Sequence, residues 1–152
     1  MNEHCRREDQ VRGADLDPNG HLRHSAYVDD AAQTSVSFLH DGGFTRERFQ
    51  ELHLGPILFR EDTRYLREVR ANETITVTTE LSGLSANGKH CRMRHRIFKA
   101  DGSLASVIEV QGAWLDLVSR RSVQAPAELL AALRALPRSS DYAEFVPQKP
   151  EL

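Results

Sequence analysis

Residues able to do chemistry crowd into one short stretch, "ADLDPNGHLRHSAYVDDA", from Ala14 to Ala31. Asp15, Asp17, Asn19 and Gly20 fall at the first, third, fifth and sixth positions of a calcium-binding EF-hand loop. Calcium fails on the loop's own requirements: the position that must supply a bidentate carboxylate is Ala26, an oxygen-donating position is Arg23, and Pro18 removes a backbone donor. The lead-in "EDQVRGA" contains Gly13 and does not read as an entering helix. His21 and His24 have helix-like spacing but no third ligand, so no metal is expected. What remains is a carboxylate in a tight turn close to an imidazole, a pairing suited to proton transfer or nucleophilic attack. The plainer alternative makes Asp17 an Asx-turn residue and His24 a histidine that satisfies a helix start.

A turn of this kind needs a frame. From Ser25 the chain runs without proline to Gly42 and Gly43, which predicts a helix with Ser25 as its N-cap, Asp29 and Asp30 in its early turns, and the glycines at its end. Its apolar and small residues cover more than half its girth, as expected of a helix enclosed by a wrapping surface. A short strand-like lead covers about Arg7 to Ala14. From Pro56 the period changes to two: "ILFREDTRYLREV", "ETITVTTELSGLS", "CRMRHRIFK" and "LASVIEVQGAWLDLV" read as strands, joined in part by Asn87-Gly88 and Asp101-Gly102 turns. The last is apolar on both faces, so a central place in the sheet is expected. Arg92, Arg94 and Arg96 share one face of their strand, while Cys91, Met93, His95 and Ile97 share the other. "APAELLAALRAL" reads as a short helix, and the tail beyond Pro137 as loosely held. The fold class is α+β: an antiparallel sheet around one long helix, with residues 1–136 as a single domain and 137–152 as a tail. Such a sheet has an open edge, and pairing with a second copy closes it.

The chain has 152 residues, a net charge of −2 and 28% charged residues mixed in sign, so no global field selects nucleic acid. Two cysteines, Cys5 and Cys91, make neither a disulfide framework nor a metal cluster. The polar start has no apolar core of a signal peptide, and no run reaches membrane-spanning length, so a cytoplasmic, membrane-free protein is expected.

The stretch "DLDPNGHLRHSAY" with its following helix, the entry "YLREVRANETITV" and the turn "FKADGSLAS" resemble the hotdog-fold acyl-CoA thioesterases of the 4-hydroxybenzoyl-CoA thioesterase-like family, over about Val11 to Val118. In that family an Asp-x-Asp-x-x-Gly turn presents the catalytic carboxylate on its second aspartate, which matches Asp17. One branch places a histidine seven residues later, which matches His24. The resemblance implies an acyl-CoA substrate, with coenzyme A as part of that substrate and no separate cofactor. It also implies a homodimer or homotetramer, and a substrate-binding set of Asn19, Gly20, Ser25 and Tyr27 around Asp17 and His24. Free amides at the helix start, around His24 to Ala26, would cradle the thioester carbonyl. Asp17 would act as nucleophile or as general base.

Two departures from the family pattern matter. Many relatives carry a glutamate where this chain has Ala32, which makes Asp29 and Asp30 rival acids, although helix-dipole placement also explains them. His21 stands where a small apolar residue is frequent. Cationic candidates for the phosphates of coenzyme A are Lys89, Arg92, Arg94 and Arg96, with Arg60, Arg64, Arg67 and Arg70, against the plainer reading of a solvated sheet face. The rival functions are a hotdog hydratase or dehydratase and a non-catalytic acyl-thioester binder.

Overall fold

The alternating stretches of the second half become long antiparallel strands. In the computed structural model, which describes residues 5–147, the chain forms β1 (Arg6–Gln10), a 3-10 turn (Gly13–Asp15), α1 (His24–Asp41), α2 (Arg46–Glu51) and β2 (Leu54–Tyr65). It continues through β3 (Thr74–Leu84), β4 (His90–Lys99), β5 (Leu104–Asp116), β6 (Ser122–Val123) and α3 (Ala127–Arg134). The sheet is antiparallel in the order β1-β3-β4-β5-β2, with β6 paired to β5. Gly88 and Gly102 turn the β3–β4 and β4–β5 hairpins at φ +67 and +83, where a side chain would be strained. β5 is interior as expected, but β4 holds the middle place. The short helix α2, capped by the Thr45 hydroxyl accepting from the Arg48 amide, has no counterpart in the sequence reading.

α1 lies across one face of the sheet against β3, β4 and β5. Tyr27, Ala31, Thr34 and Phe38, spaced by three and four, form its buried stripe. Ala32 is exposed and Val36 is 58% exposed, so the sheet covers one side of the helix and does not enclose it. The helix begins at His24 with Arg23 as N-cap, two residues ahead of the expected Ser25. The reason is local: the Ser25 hydroxyl accepts from Arg23 Nε at 3.0 Å and caps no backbone amide.

The buried apolar residues divide into two groups. Leu22, Ala26, Tyr27, Ala31, Val69 and Ile75 lead the one under the first half of α1. Phe38, Leu39, Trp114, Leu129 and Leu133 lead the other, where α3 closes the end of the sheet. His95, buried between them, meets Thr79 Oγ1 at 2.8 Å through Nδ1 and Ser35 Oγ at 3.3 Å through Nε2. Cys5 and Cys91 are free thiols in the second group. No helix among the described residues is long and apolar enough to cross a membrane.

The stretch after Pro137 is not loose as far as residue 145. The Leu81 amide donates to the Pro137 carbonyl, and the amides of Ser139, Ala143 and Phe145 donate to the carbonyls of Leu81, Ser82 and Leu84. Asp141 takes two bonds of 2.8 Å from Arg94. These bonds extend the edge of β3 beyond its pairing with β1 and offset the freedom the tail would otherwise have. Residues 148–152 of the expected tail lie outside the described residues.

Gly83 makes this edge pairing possible, since a Cβ there would stand 2.7 Å from the Ala143 carbonyl oxygen. Gly83→Ala is expected to destabilise the protein by about 1–3 kcal/mol and to speed hydrogen exchange at the Ala143 and Phe145 amides. Unchanged exchange there would show that the tail is held by other means.

Asp30 faces Asp9, Arg12 and Asp15 beside Leu22 and Ile75, and burial, reinforced by the Asp9 charge and opposed by Arg7, raises its pKa to about 6. An acid whose folded pKa is raised contributes stability that is full below its unfolded value of about 4 and lost as pH rises through 6. Asp30→Asn should therefore raise Tm at pH 7–8, by the equivalent of about 1 kcal/mol once solvent screening is allowed for, with the gain vanishing near pH 4. Melting curves across that range check it.

Candidate active site

The turn that carries Asp17 is built from its own carboxylate. Asp17 Oδ1 accepts from the Asn19 amide at 2.9 Å and from the His21 amide at 3.1 Å. The backbone closes the loop with Asp17 N to the His21 carbonyl at 2.7 Å and Gly20 N to the Asp17 carbonyl at 3.0 Å. Gly20 sits at φ +77, the left-handed conformation that glycine adopts without strain. Two N–H donors on Oδ1 fix the carboxylate plane and leave Oδ2 without a partner among the described residues. The Asx-turn reading of Asp17 is therefore correct as structure, and it is compatible with chemistry at the other oxygen.

Arg23 ties this turn to the helix. Its guanidinium donates to the Ala14 carbonyl at 2.9 Å and to Asp15 Oδ1 at 3.0 Å, while its amide donates to the Asp15 carbonyl at 2.8 Å. The hydrogen bond from Arg12, with Arg23 in support, holds the Asp15 carboxyl below the usual range. Asp15 is thus a structural anchor, as a turn-forming role implies.

Asp17, His24 and Tyr27 line one open cleft of about 360 Å³, together with His21, Leu22 and the segment from Tyr65 to Glu68. At the start of the helix the amides of His24 and Ser25 have no backbone partner among the described residues, while the Ala26 amide donates to the Arg23 carbonyl at 3.0 Å. The expected cradle of free amides is accordingly one residue shorter. Tyr65 donates its hydroxyl to the His24 carbonyl at 3.3 Å and stands edge-on to Tyr27 at 5.2 Å between centroids. Burial pushes the Tyr27 phenol up, so it stays protonated and donates to the Arg67 carbonyl at 3.4 Å. His21 Nε2 lies 2.9 Å from Glu68 Oε2.

Of the remaining expected substrate-binding residues, Asn19 and Gly20 build the turn without lining the cleft, and Ser25 turns its hydroxyl to Arg23. Neither rival acid lines it either: Asp29 is exposed with Arg23 at 3.7 Å, and Asp30 faces β1. Among the cations, Arg67 reaches the cleft but donates to the Leu104 carbonyl, and Arg70 is paired with Glu68. Arg60, Arg64, Arg92, Arg94 and Arg96 gather on the opposite face of the sheet, and Lys89 joins neither group. Among the described residues no cluster of histidine, cysteine and carboxylates could hold a metal. Tyr65, Leu66 and Glu68 were not singled out by sequence. They are distant from Asp17 in the chain, and their trace in the sequence is the "YLREVRANETITV" entry, which carries the resemblance without marking them as cleft residues.

This geometry can be set beside known proteins. Residues 11–133 match the family model of the thioesterase-like superfamily. The chain is 28% identical over 126 residues to an L-carnitine dehydrogenase/betainyl-CoA thioesterase of Agrobacterium fabrum, covering 83% of this chain but only a quarter (25%) of that protein. A Staphylococcus aureus protein solved in complex with CoA superposes with a TM-score of 0.80 at 21% identity, over 97% of this chain and 89% of the other. A 1,4-dihydroxy-2-naphthoyl-CoA thioesterase from Synechocystis gives 0.78 at 15% identity, over 86% and 96%. At such identities the solved structures speak for the fold, an antiparallel sheet with a helix across it. The family match spans most of the chain, Asp17 and its cleft included: the chain belongs to the thioesterase-like superfamily.

Proposed function

We propose that the protein hydrolyses an acyl-CoA thioester to the free acid and coenzyme A, with Asp17 as the reacting carboxylate. The observation that carries this reading is the cleft itself, which Asp17 and His24 line together at the start of α1, with Asp17 Oδ2 left unpartnered among the described residues. Bare amides at the start of α1, with the helix dipole behind them, suit a carbonyl oxygen that gains negative charge. As general base, Asp17 takes a proton from water while the water oxygen bonds to the carbonyl carbon. The tetrahedral intermediate then expels the thiolate, which receives that proton. As nucleophile, Asp17 bonds to the carbonyl carbon itself, the thiolate leaves, and water opens the resulting anhydride. His24, on the same cleft, is the side chain assigned in this reading to orient water or meet the leaving sulfur.

Asn at position 17 keeps the acceptor for both turn amides and removes the base. Asp17→Asn should therefore lower kcat by about 10²–10⁴ with Tm nearly unchanged. Undiminished hydrolysis would sink the mechanism, and a native protein inert toward a full acyl-CoA panel would favour a binding protein. Betainyl-CoA belongs in that panel beside short, long and aromatic chains. The Tyr27–Tyr65 pair and the Asp17 and Glu68 carboxylates are partners a quaternary ammonium would use. In single turnover in ¹⁸O-water, label in Asp17 identifies the nucleophilic mode, because it enters only if the anhydride forms and is opened at the protein carbonyl.

We further propose a homodimer, and the long edge strand supports it. β2 pairs with β5 on one side only and exposes Leu58 at 61% and Phe59 at 46%. Sedimentation velocity should give a dimer that Leu58→Glu moves toward monomer, and a monomeric native protein would refute it.

A further inference from the structure

The sheet face remote from α1 carries a groove of about 660 Å³, larger than the Asp17 cleft and lined by five arginines. Strand register arranges them in rows. Arg92 on β4, Gln111 on β5 and Arg60 on β2 lie side by side, followed by Arg94, Glu109 and Asp62, then Arg96, Val107 and Arg64. Arg60 reaches this face only because Phe59 is an extra residue. Leu58 pairs with Gly112 and Arg60 with Gln111, and that shift turns Arg60 outward, as bulges do.

The charges are not evenly compensated. Arg94 is held by Glu109 at 2.7 Å and Asp141 at 2.8 Å, Arg96 by Glu80, and Arg64 loosely by Asp62 at 3.7 Å. Arg60 and Arg92 have no carboxylate within ion-pair distance among the described residues. Arg92 is nevertheless immobilised: its guanidinium lies 3.9 Å over the Phe145 ring, and its buried Nε makes no hydrogen bond. Stacking of this kind fixes the guanidinium plane and leaves the terminal N–H groups to meet an oxyanion edge-on. Asp141, on the pinned stretch that also carries Phe145, lines one side of the groove. Two strand spacings put the Arg60 and Arg92 backbones about 10 Å apart, within reach of both phosphoryl groups of one ligand seated over the Gln111 amide.

We infer that the Arg60–Gln111–Arg92 row is a binding site for the pyrophosphate group of a nucleotide-type ligand. It stands on the outer-face geometry and is independent of the role given to Asp17. The ligand is either the coenzyme A portion of a substrate or a free nucleoside diphosphate.

Calorimetry on the native chain with inorganic pyrophosphate tests it, followed by ADP and coenzyme A. Arg60→Gln, at an exposed position, and Arg92→Gln should each weaken pyrophosphate binding by about tenfold or more, and binding should fall with added salt. Asp17→Asn should leave it unchanged. Tighter binding of coenzyme A than of ADP, with KM for acyl-CoA raised in Arg60→Gln, assigns the row to the substrate. Equal binding of the two with KM unmoved assigns it to a free nucleotide. The proposal is overturned if millimolar pyrophosphate does not bind, or if binding survives both arginine substitutions. It is equally overturned if binding falls in Asp17→Asn alone, or if Arg92→Gln changes the assembly state while no heat of binding is seen, which would give the face to a second copy.

Discussion

One long helix and five long or lead strands must share a single buried interface, because there is only enough helix to cover one side of the sheet. With side chains alternating across each strand, that constraint sends Val77, His95, Ile97 and Ile108 under α1 and Arg92, Arg94 and Arg96 to the other side. It also demands that any polar group under the helix be matched. His95 meets the demand with Thr79 and Ser35, and burial draws its pKa down to about 4, so it stays neutral and serves as a hydrogen-bonding link between helix and sheet. The alternative, a charged imidazole between two apolar groups, would carry a desolvation cost with no counterion near.

The same economy governs the cleft. Asp17 does not depend on a distant residue for its placement, since its carboxylate and its backbone close their own turn. The helix start, in contrast, is located by Arg23, which reaches back to Ala14 and Asp15. Because the turn and the helix start are fixed to each other by the Arg23 side chain and by backbone bonds between neighbouring residues, their relative placement is set by short-range contacts. The far wall, Tyr65 to Glu68, comes from the end of β2 and relies on the whole sheet register.

The turn, both glycine-bearing hairpins and the strand alternation are legible in sequence because each is decided within a few residues. The N-cap was misread at Ser25 because its hydroxyl has two suitors, a backbone amide and the Arg23 guanidinium, and the charged donor won. The enclosure of α1 was overestimated because small residues such as Ala32 are tolerated on either side of a helix. The tail was read as loose from its prolines and polarity, yet Gly83 and Arg94, far back in the chain, hold it.

What the sequence determined by itself is local: which stretches alternate, where the chain must turn, and which carboxylate is displayed by a tight loop. What only the tertiary structure decided is every relation that crosses strands. A one-residue insertion at Phe59 moves Arg60 from one face of the sheet to the other, and the register of three strands makes neighbours of Arg60, Gln111 and Arg92. Side-chain direction in a strand has a period of two, so a single bulge reverses it. Where pairing slips by one residue is settled by packing across the whole sheet, which no short window of sequence contains.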